Sequence, residues 1–147
     1  MLNLTSPDAI KVRVPSKAFN MASATDPQSR TILFVDDDIR LLQVVKEVLE
    51  IFGFTVTAAR YGAEAKSILN EGISLDLLLT DIKLEDGFDG FQLARIAREL
   101  YPDLPVLYIS GNAAYTPEEM GAVQAPILQK PFLPNELEEA VLKVISG

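Results

Sequence analysis

The sequence contains no cysteine, no histidine and no tryptophan. Without cysteine, disulfide bonds, thiolate metal sites and cysteine nucleophiles are excluded. Without histidine, imidazole catalysis, histidine metal ligands and a role as phosphohistidine donor are excluded as well. No apolar run approaches the roughly 20 residues of a membrane-spanning helix. We therefore expect a cytoplasmic protein without membrane contact, whose chemistry depends on carboxylates, hydroxyls and amines.

Positive charge is also scarce. The 147 residues include 13 Lys and Arg against 21 Asp and Glu, a net charge of −8. Residues 1–30 carry a net charge of +2, which leaves −10 on residues 31–147. An acidic body of this kind is repelled by phosphate backbones, so autonomous nucleic-acid binding is not expected. The length suits one domain, which can bury a core without disulfide bonds.

The first 30 residues differ from the rest in pattern. They show weak periodicity and a run of Ser, Thr, Ala, Asn and Pro, which is typical of a flexible arm. Residues 10–14 alternate and could form a short strand. A continuous apolar region of a secretory signal is missing, and Met21 is an alternative start. We assign residues 1–30 to a flexible N-terminal arm and residues 31–147 to one folded domain.

From Thr31 onward, short apolar runs alternate with segments of helical spacing. The runs predict strands at residues 32–35, 54–58, 75–80, 106–109 and 127–129. Apolar residues at helical spacing predict a helix after each strand. They are Leu41, Val45, Val48 and Phe52 in the first helix, residues 63–69 in the second, Leu93, Ala94, Ala97 and Leu100 in the third, and Leu137, Val141, Val144 and Ile145 in the last. The fourth helix is a short turn that begins at Pro117. This order predicts an α/β fold, a doubly wound five-stranded parallel sheet with helices on both faces.

Several residues mark where the helices begin and end. Asp38 is a plausible N-cap of the first helix and Asn135 of the last. Gly53 is a plausible terminator of the first helix, and Pro102 stops the third. The fourth helix is expected to be short or irregular because Gly and Pro residues crowd it.

Polar residues follow four of the five predicted strands. They are Asp36 and Asp37, Asp81, Ser110 and Lys130. Ligands of open parallel sheets bind at the carboxyl ends of the strands, so these residues are expected to converge. Crowded carboxylates coexist most easily around a hard cation such as Mg²⁺. One carboxylate could then act as a nucleophile toward a phosphoryl group, with the lysine paired to its oxygens.

Each of these signals is weak alone, because an Asp triplet can simply cap a helix and Asp81 or Ser110 can simply belong to a turn. Together they are specific. The chain from 31 to 147 resembles the receiver domains of response regulators in two-component signalling. The resemblance is carried by residues 32–38, 78–82, 90–94, 102–106, 109–111 and 130–132, which read ILFVDDD, LLTDI, GFQLA, PDLPV, ISG and KPF.

The resemblance implies a set of roles. Asp81 would be the phosphoacceptor, Ser110 the switch hydroxyl and Lys130 the residue that pairs with the phosphoryl group. Mg²⁺, or Mn²⁺ in its place, would be bound by Asp36, Asp37, Asp81 and the backbone carbonyl of Lys83. The side chains of Lys83 and Asn112 would flank the attacking water and tune the lifetime of the phosphorylated state. The phosphoryl donor would be a histidine kinase or a histidine phosphotransfer protein.

Two positions depart from the usual pattern of the family. Glu85 stands where receivers usually have proline, and Asp89-Gly90 arrives one residue late. This longer loop resembles receivers associated with hybrid sensor kinases. Ile127 stands three residues before Lys130, where the family usually has Tyr or Phe. The coupling between the hydroxyl and an aromatic ring is therefore expected to be altered.

We interpret the chain as a single-domain receiver, a phosphoacceptor module and not an enzyme, that signals through contact with an unknown downstream protein. The last predicted helix ends next to Gly147, so no output domain is expected, and the protein is expected to be a monomer or weak homodimer. One alternative is a pseudo-receiver, a protein-binding scaffold that is never phosphorylated. Another is a small Mg²⁺-dependent phosphatase of the haloacid dehalogenase type, with Asp36 and Asp38 as its motif.

Overall fold

A computed structural model describes residues 29–112 and 114–147 of the chain. The predicted N-terminal arm, including the possible strand at residues 10–14, lies outside the described residues apart from its last two positions. The elements are β1 (Thr31–Val35), α1 (Ile39–Ile51), β2 (Thr55–Ala59), α2 (Gly62–Asn70), β3 (Leu77–Asp81), α3 (Gly90–Leu100), β4 (Val106–Ser110), α4 (Pro117–Met120), β5 (Ile127–Gln129) and α5 (Pro134–Ser146).

The five strands form one sheet in the order β2-β1-β3-β4-β5, and every neighbouring pair is parallel. β1, β3 and β4 occupy the middle, and their apolar residues are buried on both faces. This is the expected consequence of helices that cross over on both sides of a parallel sheet. The predicted doubly wound fold is confirmed.

Two apolar cores lie on the two faces of the sheet. Alternate residues of each central strand enter opposite cores, as Leu78 does on one face and Leu79 on the other. One core is completed by α2 and α3, and the other by α1 and α5. The helices thereby clamp the central strands, so that the carboxyl ends of β1, β3 and β4 are held in a fixed relation.

The structure confirms the Asp38 N-cap, whose Oδ1 accepts from the N–H groups of Arg40 and Leu41 at 3.1 and 3.3 Å. The predicted N-cap at Asn135 is wrong. The N-cap is Leu133, so α5 begins at Pro134, two residues earlier than a cap at Asn135 implies, since proline suits the first helical turn, and the N–H of Leu133 donates to Glu136 Oε1 at 2.7 Å.

One member of a predicted apolar stripe is exposed, whereas others, such as Leu41 and Val48, are half-buried. Leu100, placed in the core stripe of α3, is 46% exposed, because it is the last residue of the helix and lies beyond the edge of the core. The fourth helix is a single turn of four residues, as the sequence predicted. In the described ranges, no helix combines the length and apolar character that crossing a bilayer requires.

Candidate functional site

The polar residues singled out in the sequence meet at one edge of the sheet. Asp36 and Asp37 directly follow β1, Asp81 ends β3, Ser110 ends β4, and Lys130 directly follows β5. These four strands are neighbours and run parallel, so their carboxyl ends lie side by side. The structure therefore brings together side chains that are up to 94 positions apart in the sequence.

Three carboxylates form an acidic cluster at the centre of this edge. Asp36, Asp37 and Asp81 each offer an oxygen, and these oxygens all lie within 4.8 Å of one another. Asp36 is 0% exposed and Asp81 7% exposed, whereas Asp37 is half-buried. Asp36 is held by the N–H group of Asp38, which donates to its Oδ1 at 2.9 Å. Like charges are thus concentrated where little water can screen them.

Lys130 is the cation that faces this cluster. Its Nζ donates to Asp81 Oδ2 at 3.2 Å and lies 3.0 Å from Asp36 Oδ2. The second contact is an ion pair by distance, but its angles are not those of a hydrogen bond. One ammonium group therefore bridges two buried carboxylates and leaves part of their negative charge unbalanced.

Burial dominates the protonation equilibria of this cluster. It raises the pKa of Asp81 to about 6, and the charge of Asp36 raises it further, while the charge and hydrogen bond of Lys130 oppose this shift. Burial likewise raises the pKa of Asp36 above its usual range. Burial alone would lower the pKa of Lys130, but Asp36 and Asp81 outweigh it, and the net pKa lies above its ordinary value. The lysine is therefore a permanent cation at neutral pH.

The cluster has the properties of a site for a hard cation. Within the described part of the chain, Asp36 Oδ2 is buried without a hydrogen-bond partner. That oxygen shares the charge of Lys130 with Asp81, and one ammonium group cannot balance three crowded carboxylates, so the cluster is costly unless a further cation neutralises it. Carboxylate oxygens are the ligands that Mg²⁺ prefers. The residues present therefore fit a divalent metal ion.

Ser110 and Asn112 lie together at the end of β4. Ser110 is buried, and its Oγ accepts from the N–H group of Asn112 at 3.0 Å. The N–H group of Lys130 donates to the carbonyl of Ser110 at 2.8 Å, which links the two strand ends. The Oδ1 of Asn112 accepts from the N–H group of Ala114 at 3.0 Å. The side-chain oxygen of Asn112 is therefore engaged within its own loop.

Ile127 lies directly beside an aromatic residue that sequence reasoning passed over. It is the register partner of Tyr108 in β4. The ring of Tyr108 is buried, contacts Phe91 edge-to-face at 5.0 Å, and its hydroxyl donates to the carbonyl of Val123 at 2.8 Å. An aromatic ring is therefore present on this face of the sheet, on the neighbouring strand and two residues before Ser110.

This edge can be compared with known proteins. Residues 32–142 match the family described as "Response regulator receiver domain", which covers well over half of the chain. The chain belongs to the response regulator receiver family. Receivers of this family are the signalling modules of two-component systems, so the resemblance seen in the sequence is confirmed.

Individual receivers show the same relationship. The chain is 37% identical over 119 residues to the response regulator receiver protein CpdR of Brucella abortus, over 77% of this chain and 98% of CpdR. It is 29% identical to the sensor kinase CckA of the same organism, over 90% of this chain but only 14% of CckA. A receiver protein of Sinorhizobium medicae has a crystal structure with a TM-score of 0.75 and 39% identity, over 82% of this chain and 97% of that chain.

Sequence reasoning missed one contact made by the loop that follows β3, the strand that ends at Asp81. The side chain of Asp86, in the loop after β3, accepts hydrogen bonds from the N–H groups of Gly62 and Ala63 at the start of α2. The partners lie 24 and 23 positions apart. The sequence contains only an indirect sign of this contact. Tyr61, which precedes α2, cannot cap a helix with its own side chain, so the N–H groups at the start of α2 need another acceptor.

Proposed function

We propose that this receiver accepts a phosphoryl group on Asp81 and passes the signal on through protein contacts. The observation that carries the proposal is the position of the Asp81 carboxylate, at the end of the central strand, between Lys130 Nζ at 3.2 Å and the carboxylates of Asp36 and Asp37. We propose as donor the phosphohistidine of a histidine kinase or a phosphotransfer protein. The cytoplasmic location and the absence of nucleic-acid binding stay predictions from the sequence.

The proposed transfer requires Asp81 in its charged form. With a pKa of about 6, the carboxylate is mostly ionised at pH 7.5. One carboxylate oxygen forms a bond to phosphorus, the bond between phosphorus and the donor's imidazole nitrogen breaks, and the imidazole keeps the electron pair and takes a proton. Lys130 pairs with a phosphoryl oxygen, and the Ser110 hydroxyl donates a hydrogen bond to another. The product is an acyl phosphate on Asp81.

We propose that Mg²⁺ is bound by Asp36, Asp37, Asp81 and the backbone carbonyl of Lys83, and that Mn²⁺ can replace it. Bound there, the ion would offset the negative charge of the phosphoryl oxygens. Asp36 and Asp37 would hold it through their carboxylate oxygens, which lie within 4.8 Å of each other and of an oxygen of Asp81. Lys83 lies two residues beyond Asp81 on an exposed loop, so its carbonyl is close in sequence to the acceptor.

The two alternatives to a phosphorylated receiver are a small phosphatase and a pseudo-receiver. The phosphatase motif requires Asp38 to act together with Asp36, but both capping contacts of Asp38 are to α1, and it is not a member of the acidic cluster. A pseudo-receiver would have the same fold, so only an experiment distinguishes it from a receiver that is phosphorylated. It predicts that Asp81 never becomes phosphorylated although the protein folds normally.

The proposal is tested by incubating the protein with acetyl phosphate and Mg²⁺ and measuring the intact mass. We expect one phosphoryl group per chain, and none when a chelator replaces Mg²⁺. An unchanged mass under all conditions would favour the pseudo-receiver. Catalytic turnover of p-nitrophenyl phosphate would favour the phosphatase.

The lifetime of the phosphorylated state gives a second prediction. Lys83→Ala is expected to speed dephosphorylation several-fold, because its side chain can block the path of the attacking water. Asn112→Ala is expected to slow it several-fold, because its amide can hold that water in line. The decay is followed by separating the phosphorylated and unphosphorylated forms in timed aliquots.

Glu85→Ala is the matched control, since Glu85 is exposed on the same loop as Lys83. It is expected to decay at the wild-type rate. If all three variants decay alike, Lys83 and Asn112 do not determine the lifetime.

A further inference from the structure

The loop at residues 82–89, between β3 and α3, is closed tightly at its base. The N–H group of Gly90 donates to the carbonyl of Ile82 at 2.7 Å, and Lys83 and Asp89 form an antiparallel bridge. A Cβ at Gly90 would lie 2.5 Å from the carbonyl oxygen of Asp81. Only glycine permits this close approach, so the loop returns directly behind the acidic cluster.

The tip of the same loop is fastened to the start of α2. Asp86 Oδ1 accepts from the N–H group of Gly62 at 3.2 Å, and Oδ2 accepts from that of Ala63 at 3.0 Å. Tyr61, the N-cap, makes no capping hydrogen bond with its side chain. Asp86 thus caps α2 from a distant loop with both carboxylate oxygens. Bonds from Ala63 and Gly62 hold the pKa of Asp86 below its ordinary value.

Phe88 makes a second attachment at the same point. A Cβ at Gly62 would overlap the Cβ and Cγ atoms of Phe88. The missing side chain at residue 62 therefore makes the space in which the phenylalanine packs on α2. The hydrogen bonds of Asp86 and the packing of Phe88 hold opposite sides of one short turn that contains Gly87.

We propose that Asp86 and Phe88 are positioning residues that hold Lys83 in place for metal binding by fastening its loop to α2. The inference rests on the proposed function, in which the carbonyl of Lys83 is a metal ligand. A loop attached at its tip and its base has few conformations, so its carbonyl is ordered before the ion arrives. Without the attachment at the tip, binding would have to order the loop, and the affinity would fall.

The test measures Mg²⁺ affinity by isothermal titration calorimetry. Asp86→Ala is expected to weaken Mg²⁺ binding about tenfold, the lower end of the effect of residues that support metal ligands. Asp86→Asn keeps an acceptor oxygen and should restore most of the affinity. Glu85→Ala is the control, since in the part of the chain that the structure describes the exposed Glu85 side chain makes no hydrogen bond. Far-UV circular dichroism confirms folding of each variant.

A second variant disturbs the same contact from the other side. Gly62→Ala introduces a Cβ that displaces Phe88, although alanine is the better helix former. We expect weaker Mg²⁺ binding without loss of helix content. The double variant with Asp86→Ala should be little worse than either single variant, because both undo one attachment.

The outcomes distinguish a failure of the positioning role of Asp86 and Phe88 from a failure of the proposed function. If the wild type binds Mg²⁺ and is phosphorylated, while Asp86→Ala and Gly62→Ala bind as tightly as Glu85→Ala, the positioning role is wrong and the proposed function stands. If the wild type neither binds Mg²⁺ nor gains a phosphoryl group, both are wrong. A lower melting temperature with unchanged Mg²⁺ affinity would show that the contact only stabilises α2, which also overturns the inference.

Discussion

Asp81→Asn is expected to abolish phosphorylation by acetyl phosphate, with the intact mass unchanged after incubation with Mg²⁺. The amide has nearly the same shape as the carboxylate but no anionic oxygen that can attack phosphorus. Asp81 is also the acidic residue to which Lys130 donates its hydrogen bond. Asparagine in its place removes the nucleophile and disturbs little of the packing.

Asp37→Asn is the matched variant for this experiment, because it removes one charge from the same cluster and leaves the acceptor in place. It is expected to gain the phosphoryl group more slowly than the wild type, since it loses a proposed metal ligand. Peptide mapping after borohydride reduction locates the modified residue. A phosphoryl group found on Asp36 or Asp37 at the full rate in Asp81→Asn would show that the acceptor is misassigned.

The largest expected effect on stability comes from the same carboxylate. The pKa of Asp81 is raised to about 6 by burial and by Asp36, from 3.8 for the free side chain. A raised pKa in the folded state gives stability that is fully present below pH 3.8 and is lost as the pH rises through about 6. In the absence of metal, neutral pH therefore destabilises the fold at this position.

Asp81→Asn should consequently stabilise the metal-free protein by about 2–3 kcal/mol at pH 7.5, as about two pKa units imply. Its advantage over the wild type should shrink by about 2 kcal/mol on going down to about pH 4.5. Urea unfolding in the presence of a chelator measures both values. Asp103→Asn, at an exposed position away from the cluster, is the control and should follow the wild type. If the advantage of Asp81→Asn does not change with pH, the buried charge of Asp81 is not its cause.

Mg²⁺ is expected to reduce this difference in stability between Asp81→Asn and the wild type. Binding of the ion to the charged cluster stabilises the folded wild type by about 2.7 kcal/mol at a concentration 100 times its dissociation constant. Asp81→Asn and Asp37→Asn each lack one carboxylate and should respond less. An equal response of the wild type and Asp37→Asn would place the metal elsewhere.

Much of the fold follows from local sequence pattern. Short apolar runs such as residues 32–35 suit strands that are buried on both faces of a parallel sheet, and the segments between them have helical spacing. The strands and helices were therefore predictable, as was the Asp38 cap, because they depend on neighbouring residues. The Asn135 prediction failed because two candidate start signals lie side by side, and Pro134 determines where α5 begins.

The candidate site was predictable as a set of residue types but not as a geometry. The sequence by itself determined that acids, a hydroxyl and a lysine follow four of the five strands, and it determined the family, because few other folds place these residues in that order. It could not show that one ammonium group lies near two carboxylates at 3.0 and 3.2 Å, since Lys130 and Asp81 are 49 positions apart.

Only the tertiary structure decided the strand order, the raised pKa of Asp81 and the attachment of Asp86 to α2. Burial depends on which helices cover a strand, and hydrogen bonds between residues 24 positions apart depend on how the chain returns to itself. Neither property is encoded in a local window of sequence. The sequence thus determined which groups this receiver brings to the edge of its sheet, and packing determined their charge state and their support.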